Sequence, residues 1–245
     1  TVTDYEFIVI DGGSNDNSLN VIKKYSDKIN SWISEKDKGI YDAQNKGVLK
    51  ATGDYLIFLN ADDSFFDKDV VEKFYSFLKT NNEKIIYWNS NYINLGGKSS
   101  VLMHPQKLDL NFWYANTLNH QAIFFHNTLF KKYGNFNIEY KFASDFEFLF
   151  KVYINEPSEF VYFNETVCNY DNTGLTSKDE NHKYILKERK EILLNYISKK
   201  EFNKIRKAYL KTLSVKRKYV TIIRENAFLR TSLKPFYKLY QYFTK

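Results

Sequence analysis

Apolar residues in the first part of the chain follow two different spacings. Continuous apolar runs at "YEFIVI" (5–10) and "YLIFL" (55–59) are typical of buried strands. Apolar positions recur every three or four residues in "SLNVIKKYSDKI" (18–29), from Ile40 to Ala51, and from Asp67 to Leu78, which predicts three helices. Strands that alternate with helices of this length predict an α/β fold with a parallel sheet.

Beyond residue 84 the predicted elements are shorter. The apolar pattern predicts one helix at "SDFEFLFKVYI" (144–154) and, from about residue 179, two or three basic amphipathic helices. Short strands are predicted at "IIYW", "VLMH", "QAIFFH", "EFVYF" and "TVCNY". The chain therefore reads as an α/β body followed by a helical tail.

Acidic residues stand at the ends of two predicted strands. Asp11 closes the first strand, and Asn60, Asp62 and Asp63 follow the second. In open α/β sheets, ligands bind beyond the carboxyl ends of the strands. These side chains are therefore candidate ligand contacts, and the alternative is that Asp62 and Asp63 cap the next helix or solvate a turn.

Length and composition narrow the class of protein. A chain of 245 residues is long enough for one core and a small appendage. The single cysteine, Cys168, excludes an internal disulfide and favours a reducing compartment, the cytoplasm. Because no apolar run approaches the ~20 residues of a spanning helix, we expect no transmembrane segment.

The net charge of +7 is concentrated at one end of the sequence. Residues 178–245 contain 19 Lys and Arg against 6 Asp and Glu, so the rest of the chain is acidic. A nucleic-acid binder would explain a basic tail, but the sequence has no helix-turn-helix or other named motif. We therefore expect no nucleic-acid partner.

Four stretches, in this order, carry a family resemblance: "YEFIVIDGGSNDNSLNVI", "KGIYDAQNKGVLKATGDYLIFLNADD", "NHQAIFFHNTLFKKYGNFN" and "ASDFEFLFK". Over roughly residues 4–176 the chain resembles the family 2 glycosyltransferases, in particular bacterial enzymes that build capsule, O-antigen and exopolysaccharide. The resemblance implies the GT-A fold, a Rossmann-like mixed α/β sheet flanked by helices. It further implies a nucleotide-sugar-binding half (1–100) and an acceptor-binding half (101–177). The basic helical tail (178–245), predicted from its charge and apolar spacing, follows them.

The resemblance also predicts one missing part. Relatives begin with a further strand and helix before the strand that corresponds to "YEFIVI". No counterpart of these elements stands in this sequence. An N-terminus that was trimmed or omitted is the favoured explanation, and a degenerate relative is the alternative. We therefore expect the sheet to lack a central strand.

The activity implied by the resemblance is metal-dependent sugar transfer with inversion at the anomeric carbon, of the hexosyltransferase type. The donor would be a nucleoside diphosphate sugar, and the acceptor a saccharide or a lipid-linked hydroxyl in surface polysaccharide synthesis. A relative that binds sugar nucleotides or carbohydrates without catalysis is the alternative.

The family's Asp-X-Asp metal motif falls on Asn60-Ala61-Asp62. By resemblance, Asp62 would bind a Mn²⁺ or Mg²⁺ ion that bridges the donor phosphates, and Asn60 would lie near the ribose and phosphates. Carboxylate oxygens suit such hard cations. Asp11 would contact the nucleoside, and it is followed by Gly12 where many relatives have a second acid.

Asp37 and Lys38, in the "EKDKG" loop, resemble the second wall of the nucleotide site. A plain solvated turn is the alternative for this loop.

A carboxylate in "ASDFEFLF" is the candidate base, because inverting transfer needs a group that removes the proton of the acceptor hydroxyl. Ser144 and Glu147 fit a Ser-x-x-Glu capping box, which would give Glu147 a structural role. Asp145 matches the catalytic acid of the family and is the predicted base. Glu147 remains the second candidate.

Three residues are predicted to bind the acceptor. His120 and Gln121 match a family motif beside the acceptor and the donor sugar, with a structural histidine as the alternative. Trp113 offers a ring that could stack on a sugar, with core packing as the alternative.

The end of the tail alternates Lys and Arg with Leu, Ile, Phe and Tyr in "LKTLSVKRKYVTIIRENAFLRTSLKPFYKLYQYFTK". Such a helix can lie on an anionic membrane surface. We therefore predict a cytoplasmic protein with peripheral attachment to the inner face of the membrane, and the alternative is that the tail packs on the catalytic body.

Overall fold

The computed structural model describes residues 4–93, 97–171, 174, 180–213, 217–218 and 221–222. The strands are β1 (Ile8–Asp11), β2 (Ser31–Ser34), β3 (Tyr55–Leu56), β4 (Ser64–Phe65), β5 (Ile85–Ile93), β6 (Ser99–Leu102), β7 (Ile123–His126) and β8 (Phe160–Asp171). The helices are α1 (Ser18–Lys24), α2 (Ile40–Lys50), α3 (Val70–Leu78), α4 (Leu110–Ala115), α5 (Thr128–Tyr133), α6 (Ser144–Asn155), α7 (His182–Tyr196) and α8 (Lys199–Thr212). Single 3₁₀ turns lie at Ser26–Lys28, His120–Ala122 and Pro157–Glu159.

The chain divides into two compact units. The first unit contains residues 1–107 and 117–178, and the second contains 108–116 and 179–245. The first unit holds all eight strands, and the second holds α4, α7 and α8. The predicted division of residues 1–177 into a donor half and an acceptor half stays a prediction.

The strands of the first unit form two sheets. β1 and β2 pair in parallel as a two-stranded sheet. The other strands form a mixed sheet in the order β3-β7-β5-β8-β4, with β6 beside the second half of β5. β3, β5 and β8 run in one direction, because β7 is antiparallel to both β3 and β5, and β5 is parallel to β8.

This arrangement confirms the predicted mixed α/β sheet, while the wholly parallel sheet expected from the apolar pattern alone is wrong. β1 makes no ladder to the larger sheet within the described residues. The two sheets are joined by side chains instead. Glu6, just before β1, accepts hydrogen bonds from the backbone N–H groups of Thr52 and Gly53, just before β3.

Aromatic side chains fill the core on both faces of the larger sheet. Successive residues of a strand point to opposite faces, and the two phenylalanines of β7 show the result. The ring of Phe124 stacks on Phe74 of α3, with centroids 3.8 Å apart. The ring of Phe125 packs on the other side against Phe130 of α5 and Phe148 of α6. Helices therefore cover both faces of β7.

The second unit is built from helices. Asp109 caps α4 by accepting a hydrogen bond from the backbone N–H of Phe112 at 2.7 Å. Arg189 of α7 donates hydrogen bonds to the carbonyl oxygens of Trp113 and Asn116 at the other end of α4. The ring of Tyr114 packs against Phe202 and Tyr209 of α8.

Candidate functional site

The carboxylate of Asp11 organises the turn that follows β1. It accepts hydrogen bonds from the backbone N–H groups of Gly13 and Ser14, and from the hydroxyl groups of Ser14 and Ser34. The hydroxyl groups of Ser14 and Ser34, followed by the backbone donors, lower the pKa of Asp11. Its carboxylate is therefore a buried anion that fixes the loop, and its predicted contact with the nucleoside stays a prediction.

The loop after β2 closes directly over the loop after β1. Because β1 and β2 are parallel, with Asp11 paired to Ser34, both loops leave the same edge of the small sheet. A Cβ atom on Gly12 would collide with the carboxylate of Asp37. The carboxylate of Asp37 therefore lies directly against Gly12.

Asp37 and Lys38 lie at the entrance to α2. The other oxygen of the Asp37 carboxylate accepts a hydrogen bond from the backbone N–H of Gly39 at 2.9 Å. Lys38 is exposed, and its backbone N–H donates to the Asp42 carboxylate at 3.0 Å. The loop is therefore ordered by its own carboxylates, and the role of Asp37 and Lys38 in the nucleotide site stays a prediction.

The four-residue turn 60–63 follows the short strand β3. The Asp63 carboxylate accepts hydrogen bonds from the backbone N–H of Asn60 at 3.0 Å and from that of Asp171 at 3.3 Å. The backbone N–H of Asp63 in turn donates to the Asn60 carbonyl oxygen at 3.1 Å. Asp62 is exposed, and its side chain makes no hydrogen bond or ion pair to any residue that the structure describes. Asp63 therefore stabilises the turn, and Asp62 points away from it toward solvent.

The 60–63 turn supplies one carboxylate, that of Asp62, which could hold a metal ion together with a bound ligand. Among the described residues, no group of three or more His, Cys, Asp or Glu side chains is arranged to hold a metal. Mg²⁺ in proteins is commonly held by one or two carboxylates together with substrate phosphates. One exposed, unengaged carboxylate at Asp62 meets that requirement.

Contacts across β8 and β5 connect this turn to the predicted base. Asp63 contacts Asp171 at the end of β8, and the neighbouring Tyr170 packs its ring on Tyr92 of β5, with centroids 4.8 Å apart. The Tyr92 hydroxyl lies 3.1 Å from Oδ1 and 2.8 Å from Nδ2 of Asn119, the residue before His120. The Asp62 turn and His120 therefore lie at the same end of the larger sheet, where β5 and β8 end and β7 begins.

Asp145 lies at the start of α6 and is held by side chains from two other elements. Its Oδ2 atom is 2.9 Å from Nδ1 of His120, and its Oδ1 atom accepts a hydrogen bond from the Tyr41 hydroxyl at 2.9 Å. Burial raises the pKa of Asp145, but the hydrogen bond and charge of His120 and the hydrogen bond of Tyr41 outweigh burial and lower it. Asp145 is therefore a carboxylate at neutral pH.

The predicted capping box at the start of α6 is wrong. The helix begins at Ser144 itself, Ala143 is its N-cap, and no side chain caps it. The Ser144 hydroxyl is buried without a hydrogen-bond partner among the described residues. Glu147 pairs with Lys151 one turn later, at 3.1 Å, so its structural role comes from this ion pair.

The residues predicted to bind the acceptor lie in different surroundings. His120 and Gln121 form the 3₁₀ turn before β7 and are buried. Trp113 belongs to the second unit, and its side chain is fully buried, as the core-packing alternative expects. Binding of the acceptor by these three residues stays a prediction.

Sequence reasoning missed three residues of this site: Tyr41, Ser34 and Asn119. Tyr41 and Ser34 donate hydrogen bonds to Asp145 and Asp11, respectively. Asn119 precedes His120 in the chain and contacts Tyr92. Tyr41 stands 104 residues from its partner Asp145 in the chain, and Ser34 stands 23 from Asp11. The only signal in the sequence was the place of Tyr41 within the second resembling stretch, "KGIYDAQNKG".

Comparison with known proteins shows the family of the chain. The sequence matches the family model described as Glycosyl transferase family 2 over residues 1–157. It is 28% identical, over 178 residues, to a PGL/p-HBAD biosynthesis glycosyltransferase of Mycobacterium tuberculosis, covering 71% of this chain and 68% of the relative. An uncharacterized glycosyltransferase of the same species is 33% identical over 178 residues, covering 71% and 66%. A cholesterol galactosyltransferase of Borreliella burgdorferi is 35% identical over 88 residues, covering 35% and 24%.

Solved structures of a similar fold include those of TarS. The crystal structure of residues 1–349 of TarS from S. aureus, in complex with UDP, is similar with a TM-score of 0.61 and 17% identity, covering 91% of this chain and 70% of that one. The complex of the same protein with UDP-GlcNAc gives a TM-score of 0.62 at 19% identity, covering 85% and 63%. At this level of identity the similarity concerns the fold alone, and the fold is the predicted GT-A fold.

Proposed function

Because the chain belongs to glycosyl transferase family 2, we propose that it transfers a sugar from a nucleoside diphosphate donor to an acceptor hydroxyl, with inversion at the anomeric carbon. One observation carries the proposal. The ionised Asp145, held by His120 and Tyr41, is linked through Asn119, Tyr92 and β8 to the turn that exposes Asp62. The proposed base and the proposed site for the donor phosphates thus lie at the same end of the larger sheet.

The donor is proposed to bind at the strand-end loops. The Asp11 turn and the Asp37–Lys38 loop form the nucleoside side, and the 60–63 turn forms the phosphate side. This arrangement is supported by the collision that a side chain at Gly12 would make with Asp37, which joins the first two loops. The TarS complexes with UDP and UDP-GlcNAc make uridine diphosphate sugars the first donors to test.

A divalent cation, Mn²⁺ or Mg²⁺, is proposed to be held by Asp62 together with the donor phosphates. Asn60 would contact the ribose or phosphates. When bound, the cation neutralises the negative charge that develops on the leaving diphosphate. The exposed, unengaged carboxylate of Asp62 supports this role, while Asp63 is occupied in the turn.

In the proposed reaction, Asp145 removes the proton of the acceptor hydroxyl. The oxygen forms a bond to the anomeric carbon as the bond from that carbon to the diphosphate oxygen breaks, and the electron pair leaves with the diphosphate. His120 orients the carboxylate from one side. Asp145 suits this role because it stays ionised and directly contacts His120, which lies in the turn that we propose to bind the acceptor.

The acceptor is proposed to be a saccharide or a lipid-linked hydroxyl used in surface polysaccharide synthesis, and transfer of a hexose is the form we expect. The relative described as a cholesterol galactosyltransferase supports lipid acceptors as a class worth testing.

We also propose that the protein works at the cytoplasmic face of the membrane, with the basic tail at an anionic surface. Among the described residues, no helix is both long enough and apolar enough to span a bilayer. The stretch 210–245 quoted for this attachment lies largely outside the described residues. Within α8, the apolar residues Phe202 and Ile205 are buried, so any attachment through this helix would be electrostatic.

The experiment that tests the proposal is turnover of a panel of nucleotide sugars by the full-length protein, with Mn²⁺, with Mg²⁺ and with a chelator. We expect release of nucleoside diphosphate that depends on the cation and rises when acceptor is added. Tight donor binding without any turnover would instead support the inactive, sugar-nucleotide-binding alternative.

A further inference from the structure

Tyr41 makes a buried contact with the proposed base. It lies in the first turn of α2, four residues after Asp37, and only 6% of it is exposed. Its ring packs on Phe136, with centroids 5.9 Å apart, and its hydroxyl donates to Oδ1 of Asp145 at 2.9 Å. The contact therefore joins α2, which follows the Asp37–Lys38 loop, to α6, which carries the proposed base.

The hydrogen bonds of the Asp145 carboxylate are unevenly shared between its two oxygens. An ionised carboxylate can accept about four hydrogen bonds, two on each oxygen. Oδ1 accepts two, from the Tyr41 hydroxyl and from the backbone N–H of Phe146 at 2.8 Å. Oδ2 accepts one, from Nδ1 of His120, which must carry a proton because a carboxylate only accepts. Among the contacts made by described residues, one position therefore remains, and it lies on Oδ2.

We propose that Tyr41 is a positioning residue for the transfer: by filling Oδ1, it makes Oδ2 the oxygen that receives the proton of the acceptor hydroxyl. The inference rests on the proposed function. The proton moves from the acceptor oxygen to Oδ2, while the electron pair of the O–H bond forms the new bond to the anomeric carbon. The bond from that carbon to the diphosphate breaks at the same time, and its electrons leave with the diphosphate.

The surroundings of Tyr41 keep it a donor throughout the working range of pH. Burial, followed by the charge of Asp145, raises the pKa of Tyr41 well above its ordinary value. In the part of the chain that the structure describes, two titratable side chains contact the Asp145 carboxylate: Tyr41 from α2 and His120 from the turn before β7. Glu147, on the next turn of α6, pairs with Lys151.

The test is Tyr41→Phe, which removes the hydroxyl and keeps the ring. We expect kcat to fall by roughly tenfold or more, as for a reacting group that is no longer held in position, with the KM for the donor close to wild type. The Tyr41 hydrogen bond lowers the pKa of Asp145. Its loss raises that pKa, so the acidic limb of the kcat/KM profile moves to higher pH.

Tyr55→Phe is the matched control. The Tyr55 hydroxyl donates to the Glu83 carbonyl oxygen at 2.9 Å, so this variant also loses one hydrogen bond of a half-buried tyrosine. It should leave the acidic limb in place. Site-specific 3-fluorotyrosine at residue 41 is a variant with little risk to folding. As a stronger donor it should move the limb the other way, to lower pH.

A titration of ¹³C-labelled aspartate carboxyl groups, with Asp145 assigned by Asp145→Asn, separates this inference from the proposed function. If wild type transfers no sugar, the proposed function fails, and the titration alone decides whether Tyr41 lowers the pKa of Asp145. If wild type is active but Tyr41→Phe keeps the wild-type kcat, acidic limb and Asp145 titration, the positioning role of Tyr41 is wrong.

Discussion

Asp62 and Asp63 are neighbours in the chain with different surroundings. The Asp63 carboxylate accepts two backbone hydrogen bonds, which hold the 60–63 turn against the end of β8. The Asp62 carboxylate is exposed and engages no described residue. Asp63 is thus a structural residue and Asp62 a candidate ligand for the metal. The two differ because only the Asp63 side chain faces backbone N–H groups.

We predict that Asp62→Ala weakens cation-dependent binding of a nucleoside diphosphate by about tenfold or more, since even residues behind a metal ligand commonly matter by that factor. Isothermal titration calorimetry with UDP, with and without Mn²⁺, measures this effect. Asp27→Ala removes an exposed carboxylate at the opposite end of β2 and should bind like wild type. Equal, cation-dependent affinity for wild type and Asp62→Ala would remove Asp62 from the metal site.

The predicted site residues are those whose position in a motif is visible in one stretch of sequence. Asp11, Asn60 and Asp62 follow apolar strands, so the end of a strand marks them. The partner of Asp145 could not be found this way, because the fold brings Tyr41 to it across 104 residues. The contact between Gly12 and Asp37 could not be predicted either, because the two residues lie in different loops that only the fold brings together.

The start of helix α6 shows that a Ser-x-x-Glu spacing alone does not make a helix cap. A Ser-x-x-Glu spacing usually marks a capping box. Here Ser144 lies one residue inside the helix, where its hydroxyl cannot reach the free N–H groups of the first turn. The same spacing at Ser198 and Glu201 does give a cap, because Ser198 precedes α8 and accepts a hydrogen bond from the Glu201 N–H at 3.2 Å.

These two serines give a matched prediction. Ser198→Ala should cost about 1 kcal/mol in the free energy of unfolding, the usual value for a lost N-cap. Ser144→Ala should cost close to nothing or add stability, because it removes a buried hydroxyl that has no partner among the described residues. Urea unfolding measures both, and an equal loss for the two variants would restore Ser144 as a cap.

Glu147→Gln tests the second candidate for the base. Its side chain is 7% exposed, but that of Lys151, four residues later on the helix, is 22% exposed. The variant should therefore lower the free energy of unfolding by about 1 kcal/mol or less, the usual value for a partly exposed pair on one helix. Sugar transfer should stay close to wild type. A large loss of transfer without a loss of stability would exchange the roles of Glu147 and Asp145.

The boundaries of the elements were predictable only where packing follows a regular pattern. The runs in β1, β5 and β7 were visible as apolar strands. β2 was missed because "SWIS" alternates polar and apolar residues over only four positions and is recognised by its pairing with β1. The predicted strands "EFVYF" and "TVCNY" are parts of one strand, β8, which continues through Asn164 and Glu165 because β5 pairs with it on both sides of a bulge.

At the scale of the whole molecule, positive charge collects in residues 178–245, and α8 shows how it is displayed. Phe202, Ile205 and Leu210 are buried. Four lysines at spacings of three or four residues form an exposed row on the helix: Lys200, Lys204, Lys207 and Lys211. They make no ion pair within the described residues, so the row is available to an anionic surface.

We predict that replacing this row of lysines by glutamine reduces sedimentation of the full chain with vesicles that contain anionic lipid. Each basic residue near such a surface contributes roughly 1 kcal/mol, and added salt should weaken the attachment. The matched control replaces four exposed lysines of the first unit, namely Lys50, Lys79, Lys98 and Lys107. Equal sedimentation of both variants would exclude the α8 row as the attachment surface.

The proposed reaction depends on Asp145 acting as the base in an inverting transfer. The most direct measurement is ¹H NMR of the product made from a donor of known anomeric configuration by wild type and by Asp145→Asn. The amide can keep a hydrogen bond to His120 or Tyr41, so the melting temperature should change little. We predict a product of inverted configuration from wild type and a rate lower by on the order of 10²-fold or more for Asp145→Asn. A product of retained configuration, or transfer by Asp145→Asn at the wild-type rate, would contradict the account.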